Sequence, residues 1–466
     1  MNRSKVTARL LFALWLGSVS LIALLSAFTL GAAMFRHIQA GGDKIPEPLQ
    51  TVVTTLSETP SLVKQAFTEL RDVVTGRPSA LLIPKDQVLK PGWKHQFPAP
   101  DDDGYLLLSG VSPEEKQSIV QLIRIADGQV MAKWVPDWDY IHSQVKHHRF
   151  TPKGNSKAYR AIHPLLLNDG SLIFNTDNSL LRLPLCSSKP SWILDYPYHH
   201  SIELSSSGHS IWVPSVSENF SVDNRQLKHD LRDDSLTEIN LDGRVLQNLS
   251  FSKILSENNL IAHLLGSTGI IKNIDPIHIN QITPAQADGS YWKKDDLLIS
   301  SRHLSTIYLY RPSTGRIIWH KQGPWLNQHS VHFINDHSIA VFSNHVYGAK
   351  LKEQFIFADQ INHVYIYDFA HPEAEAVQLE NLNKFKPQTI TEGRTHFLQD
   401  ESLFIEETNN ARIFKFDSHG NLQWSYINYF DEKYLGALGW SRYLSKNEMT
   451  EKVTVAISKC SNPAFP

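Results

Sequence analysis

A plan that recurs roughly every 50 residues constrains this chain more than any other feature. From Gly104 onward, short apolar runs alternate with polar turns. Several stretches follow one order: a strand, a turn, a second strand, an Asp-Gly-like turn and a terminal tryptophan. GYLLLSG through LIRIADGQVMAKW ends at Trp134, and HPLLLNDGSLIF through LLRLPLCSSKPSW ends at Trp192. DPIHIN through IYLYRPSTGRIIW ends at Trp319, and THFLQDESLFIEE through RIFKFDSHGNLQW ends at Trp424. HSIELSSSGHSIWVPSV and QHSVHFINDHSIAVFSN open two further units that lead to LTEINLDGRVLQNL and HVYIYDF. Trp134 and Trp192 lie 58 residues apart, and Trp319 and Trp424 lie 105 apart, the span of two units. Repeats of about 50 residues made of about four short strands indicate propeller blades. Six units fit between Gly104 and Asn428, so the expected fold is all-β, a six-bladed β-propeller. EKVTVAIS (Glu451 to Ser458) is expected to close the ring against the first blade. A pair of β-sandwiches would leave the recurring terminal tryptophan without a cause.

The segments before the repeat differ in character. Leu10 to Phe35 carries no charged residue and is long enough to cross a bilayer as a helix. Arg3, Lys5 and Arg9 precede it, which places the N-terminus in the cytoplasm and the rest outside, in the periplasm or another extracytoplasmic space. A cleaved signal peptide is the competing reading, but its apolar core usually spans only about 7–15 residues. Thr59-Pro60 reads as the cap and first turn of a helix with Val63, Phe67, Leu70 and Val74 at helical spacing, ended by Gly76-Arg77-Pro78. The expected organisation is thus a membrane anchor over 1–35, a helical connector over 36–98 and the propeller over 99–466. With 45 Lys+Arg against 47 Asp+Glu and no basic run, nucleic acid is excluded as a partner. Cys186 and Cys460 form no Cys-x-x-Cys pair, so zinc and thiol redox chemistry are not indicated; one bridge or two free thiols fit equally. No phosphate loop, His-Glu-x-x-His helix or Gly-x-Ser-x-Gly elbow occurs, and no cofactor or metal is called for. Insertions near 218–232 and 252–273 read as loops over one face. His229, Asp230, Asp233 and Asp234 then read as solvated rather than metal-binding, since the regular ligand spacing of oxygen-rich metal loops is missing.

The chemistry-bearing signal is histidine. His163, His200, His278, His329 and His396 recur at the start of what should be the innermost strand of each unit, where a propeller lines its axis. One histidine among 22 means little, but several at one repeat position would meet at the axis and couple. Imidazole can act as nucleophile or general acid/base, and arginine and asparagine can hold the oxygens of an anion.

DPIHIN, SSRHLSTIY, TGRIIW and QHSVHF, with HHSIELSSSGHSIWV upstream, resemble consecutive signature segments of the bacterial arylsulfotransferase family. The resemblance runs from about Gly104 to Asn428 and is strongest between His199 and Gly348. It implies a six-bladed propeller that moves a sulfuryl group from an aryl sulfate ester to a phenol without a nucleotide donor, through a transient sulfohistidine. His329 matches the sulfated nucleophile, and His278 and Asn280 match the pair that binds the sulfuryl oxygens and assists proton transfer. Arg302 matches the sulfate-binding arginine, and His200 the upstream acid/base. Trp325 and Tyr347 stand near enough in sequence to stack on an aryl group. Ser330 follows His329 where the family often has an acidic or small residue, and the stretch 287–296 lengthens the gap between DPIHIN and SSRH. The alternatives are a membrane-tethered binding or scaffold propeller without catalysis, and an aryl sulfate hydrolase.

Overall fold

The computed structural model describes residues 77–460 apart from 90–95, 147–155, 218–220, 223–224, 227–231, 267–274, 350–353, 358–360, 373–376, 379–381 and 383–384. The expected anchor and the helix after Thr59 lie outside the described residues, as do His229 and Asp230. Among the described residues no helix is long and apolar enough to cross a membrane.

Six four-stranded antiparallel sheets follow one another along the chain. Their innermost strands are Arg442–Leu444, Ile162–Leu166, Glu203–Leu204, Ile279–Pro284, Gln328–Phe333 and Arg394–Phe397, numbered here as blades 1 to 6. The six-bladed all-β propeller is therefore present. The hydrophobic cores lie where neighbouring blades face each other: Leu107 and Trp134 meet Phe174 and Leu181 between blades 1 and 2, and Trp212 and Leu236 meet Ile299 and Tyr308 between blades 3 and 4. The terminal tryptophan of a blade reaches into the next. Trp134 Nε1 donates to Gly170 O at 3.1 Å, Trp192 Nε1 to Leu241 O at 3.2 Å, and Trp424 Nε1 to Asp102 Oδ2 at 2.8 Å. Trp319 lies against Phe369 of blade 5 with ring centroids 4.6 Å apart. The repeat thus records the blade-to-blade contact, a large buried ring with its one donor satisfied. Gly243, at φ 87°, lets the Asp-Gly turn of blade 3 lie flat on Trp192, whose ring a Cβ there would meet at 2.9 Å.

Ring closure differs from expectation. Arg442–Leu444 supplies the innermost strand of blade 1 and pairs with Tyr105, Leu106 and Leu107. Glu451–Cys460, expected to be that strand, is a helix. Its buried residues, Val453 and Ile457, stand four apart and pack on the core between blades 1 and 2, whereas Val455 is exposed. Helical spacing of the two apolar anchors outweighs the β-branched composition. A disulfide joins Cys186 to Cys460, Cα atoms 6.0 Å apart, and fixes the end of this helix to blade 2. Upstream, Leu82–Pro84 pairs with Tyr434–Gly436, so residues just before the expected propeller boundary belong to the same compact unit.

The second insertion is not a simple surface loop: it contributes helices Phe251–Glu257 and Ala262–Leu265, which bury Phe251, Ile254, Leu255 and Leu264 in the core between blades 3 and 4. Most of the first insertion lies outside the described residues. Asp233 and Asp234 are fully buried on the strand Asp233–Asn240, against the expectation of a solvated loop.

Candidate functional site

Each innermost strand starts from a strained residue. In blades 1 to 6, Trp440, His163, His200, His278, Asn327 and Glu392 have left-handed backbone, with φ between 50° and 63° spanning the group. Left-handed backbone costs a non-glycine residue roughly 1–2 kcal/mol, so its appearance in every blade marks a geometry the ring imposes at one end of the axis. Three of the expected histidines meet there. The His200 ring is centred 5.3 Å from His278 and 5.9 Å from His329. Trp440 packs edge-on to His163, His200 and His329 at 5.4, 5.8 and 6.3 Å. His163 lies beyond Trp440. His396 is not part of this group: it stands further along its strand, 5.7 Å from the His332 ring.

Hydrogen bonds assign the tautomers. The Arg232 guanidinium donates to His199 Nε2 at 3.0 Å, so the His199 proton is on Nδ1, which faces His200 Nδ1 at 2.9 Å. His200 Nδ1 accepts, and its own proton is on Nε2. His278 is set the opposite way: its Nδ1–H donates to Asp275 Oδ2 at 2.5 Å, which leaves the lone pair on Nε2. Arg302 Nη1 donates to His303 Nε2 at 2.9 Å, and His303 Nδ1–H donates to Asp275 O at 2.5 Å. The backbone N–H of Arg302 holds His278 O at 2.9 Å. Arg302 Nε is buried and has no hydrogen-bond partner among the described residues. In His329, Nδ1–H donates to Asn344 Oδ1, an orientation fixed by the Asn344 amide nitrogen donating to Thr389 O and Glu392 O. His329 Nε2 accepts from the Glu392 N–H at 2.9 Å.

Burial pushes His200, His278 and His329 well below the ordinary imidazole range. Neighbouring guanidinium groups add to it: Arg232 beside His278 and Arg302 beside His329. All three are neutral near pH 7, as a nucleophile or base requires. Burial would raise Asp234, but the Arg232 guanidinium beside it holds it at about 2. It accepts from Arg232 Nε at 3.0 Å and from the Ile279 N–H of blade 4. Arg302 itself is lowered by burial, partly offset by Asp275.

Asp275, His278 and His303 bring possible metal-ligating atoms within 4.8 Å of one another. Their ring Nδ1 atoms are engaged in hydrogen bonds, Arg302 occupies His303 Nε2, and Arg232 stands 3.6 Å from Asp275. Two guanidinium groups beside the cluster disfavour a cation.

The structure therefore gathers His200, His278, His329 and Arg302. Asn280 clasps the neighbouring blade: its Nδ2 donates to Gln328 O at 3.0 Å, and its buried Oδ1 has no partner among the described residues. Trp325 is buried in the core between blades 4 and 5, and the Tyr347 side chain lies outside the described residues. The aromatic ring at the histidines is Trp440, which was missed because the closing strand was assigned to the wrong segment. Asp275, His199, Arg232, Asp234, Asn344 and Glu392 were also missed as site residues. Asp275, three residues ahead of His278 within the DPIHIN segment, is the one whose spacing could have signalled a carboxylate–imidazole pair.

The sequence model described as Arylsulfotransferase (ASST) matches residues 163–429, which carry all of the histidine cluster and Arg302. No curated protein matches the chain. Among solved structures, a protein of unknown function from Bacteroides caccae is 12% identical, with 74% of this chain and 99% of that chain covered and a TM-score of 0.41. The Pan2 WD40 domain of Neurospora crassa is 10% identical, with 72% and 80% covered and a TM-score of 0.38. At that distance neither bears on function.

Proposed function

The chain belongs to the arylsulfotransferase family, and from that premise we propose that it transfers a sulfuryl group from an aryl sulfate ester to a phenol through a transient sulfohistidine, without a nucleotide donor. The observation that carries the reading is the meeting of three neutral histidines with Arg302 at one end of the axis. His329 Nε2 attacks sulfur, the N–S bond forms and the S–O bond to the aryl group breaks. The departing phenolate oxygen takes a hydrogen bond from His200 Nε2–H and then a proton from solvent. Arg302 Nε–H and the second amide hydrogen of Asn280 hold the sulfuryl oxygens as charge shifts on to them. In the second half, His278 Nε2 takes the proton of the acceptor phenol while Asp275 stabilises the imidazolium. The phenol oxygen attacks sulfur, the N–S bond breaks, His329 returns to its neutral form and His278 gives its added proton to solvent. Trp440 offers the aryl group a flat neighbour.

One observation favours a second assignment of the nucleophile. The His329 lone pair accepts from the Glu392 N–H, a bond that must open before attack, whereas His278 is backed by Asp275 and no hydrogen-bond partner holds its Nε2 among the described residues. The test is a chromogenic aryl sulfate with and without phenol, joined to peptide mapping of the enzyme quenched during turnover. Phenol-dependent turnover with the sulfuryl mass on the peptide containing His329, lost in His329→Ala, supports the first assignment. The mass on His278 supports the second. No turnover and no sulfated peptide across several aryl sulfates would sink the enzyme reading and favour a binding propeller.

The location also belongs to the proposal. The apolar run Leu10 to Phe35 behind Arg3, Lys5 and Arg9 supports a membrane anchor, and the Cys186–Cys460 disulfide suits an oxidising compartment on its far side.

A further inference from the structure

The innermost strands carry a second polar constellation at their other ends. A cavity of about 690 Å³ opens there, lined by residues of all six innermost strands, including Leu165, Glu203, Thr283, His332, His396 and Arg442. Thr283 stands five residues along its strand from His278, a rise of roughly 16 Å, so this mouth is distinct from the histidine cluster. The stretch 287–296 that lengthens blade 4 contributes Ala287, Asp288 and Trp292 to its wall.

Arg394 is the residue that asks for a ligand. It lines the cavity, is 4% exposed and forms no salt bridge among the described residues. Nη1 is engaged with His163 Nε2 at 2.5 Å and Ser441 O at 3.4 Å. Nε is buried without a partner, and Nη2 has no hydrogen bond among the described residues. The Nε–Nη2 edge is the one that grips a carboxylate or sulfate with two parallel hydrogen bonds. The Glu203 carboxylate does not neutralise it: Glu203 Oε2 pairs with Arg442 at 3.2 Å and Oε1 accepts from Gln281 Nε2 at 3.2 Å. Two guanidiniums therefore share Glu203, while Glu406, the other carboxylate near Arg394, makes no hydrogen bond to it and accepts instead from the Trp440 and Ser441 N–H groups and Thr408 Oγ1; a buried guanidinium without a hydrogen-bonded counter-ion is costly. His332 accepts from the Phe397 N–H through Nε2 at 3.0 Å, so its proton is on Nδ1, which is a second buried donor with no partner among the described residues. Around the rim, Asp336 and Glu448 are engaged locally, with Ser290 and Ser445. Trp292, Phe333, Leu204 and Pro284 supply apolar wall.

We infer that this mouth is a second ligand site, for an organic oxyanion: a sulfonate, sulfate or carboxylate carried on an apolar body, gripped by the free edge of Arg394 and seated against Trp292 and Phe333. The inference does not depend on the reaction proposed above.

The test uses the full protein and 2-naphthalenesulfonate, whose C–S bond cannot donate a sulfuryl group, so binding is read without turnover. Fluorescence titration should show saturable binding that Arg394→Gln weakens at least tenfold and Arg302→Gln leaves in place. Because Arg394 also braces His163, His396→Ala and Trp292→Ala, which spare that contact, serve as independent variants; each should weaken binding severalfold with unchanged circular dichroism. A crystal soaked with a bromo-naphthalenesulfonate should place the anomalous peak at this mouth. Inorganic sulfate that competes weakly, with 2-naphthoate competing well, supports an anion on an apolar body; sulfate competing equally would overturn the apolar part. Binding that survives all three variants, or bromine density only at His329, would overturn the site.

Discussion

Lowering the pH from about 7 to about 5.5 should strip this fold of much of its stability. Burial depresses His163, His200, His278, His329 and His396 well below their unfolded value of 6.5, and His332 to about 3. The unfolded chain therefore binds protons first. Stability is complete above about pH 6.5 and is lost as the pH falls below it, because protonation favours the unfolded state. Each fully depressed histidine costs about 1.2 kcal/mol over this interval, about 7 kcal/mol for the six. Asp233 acts in the opposite sense: burial raises it to about 7, so protonation on acidification returns about 1.6 kcal/mol. Asp177 and Glu406, also raised by burial, trim the loss further. A net loss of at most about 5 kcal/mol is comparable to the whole stability of many domains. Urea midpoints measured at several pH values across the interval should fall steadily, and His332→Gln should flatten the slope by about 0.8 kcal/mol per pH unit averaged over it. A midpoint that stays level, or a slope indifferent to His332→Gln, would refute the claim that these rings are buried in neutral form.

Other substitutions test the network more locally. Asp275→Asn keeps the shape but can no longer fix the His278 tautomer; aryl sulfate turnover should drop by about 10²- to 10⁴-fold with the urea midpoint little changed, and an unaltered kcat would remove His278 as the base. Asp234→Asn breaks a buried pair with Arg232 and weakens the link to Ile279; a loss of about 3–5 kcal/mol in unfolding free energy is expected, and a neutral effect would show that the pair only balances its own desolvation. Cys186→Ser frees the C-terminal helix; with the bridged cysteines 274 positions apart in sequence, the unfolded chain regains entropy worth about 5.6 kcal/mol. Equal midpoints for wild type and variant under oxidising conditions would show that the bridge does not constrain unfolding.

The blades were legible because their cause is periodic. Each terminal tryptophan sits on its neighbour, so the contact that holds the ring together is written once per unit. The closing strand was not legible for the converse reason. Arg442–Leu444 is three residues long and carries no tryptophan of its own blade, whereas Glu451–Cys460 looks strand-like until its two apolar anchors are counted four apart. That one misassignment hid Trp440. The recurrence of histidine was a true signal of position but not of convergence. His396 lies four residues past Glu392, the residue of its blade at the histidine end, and a strand carries each further residue about 3.3 Å along the axis, so it faces the other mouth.

The roles of the converging histidines depend on partners that spacing does not reveal. His200 and His278 are alike in sequence context, both left-handed and both at the start of an innermost strand. What separates them is a guanidinium 33 residues from His199 and a carboxylate three residues from His278. Arg232 can only donate, so it drives a proton through His199 on to the outer nitrogen of His200 and makes that ring a donor. Asp275 can only accept, so it draws the proton of His278 inward and leaves an outer lone pair. One ring is thereby set as the hydrogen-bond donor to a leaving oxygen and the other as the base for an incoming one, before any substrate arrives. Exchanging the sign of either anchor should exchange the role, and no pattern of histidines alone could have distinguished the two.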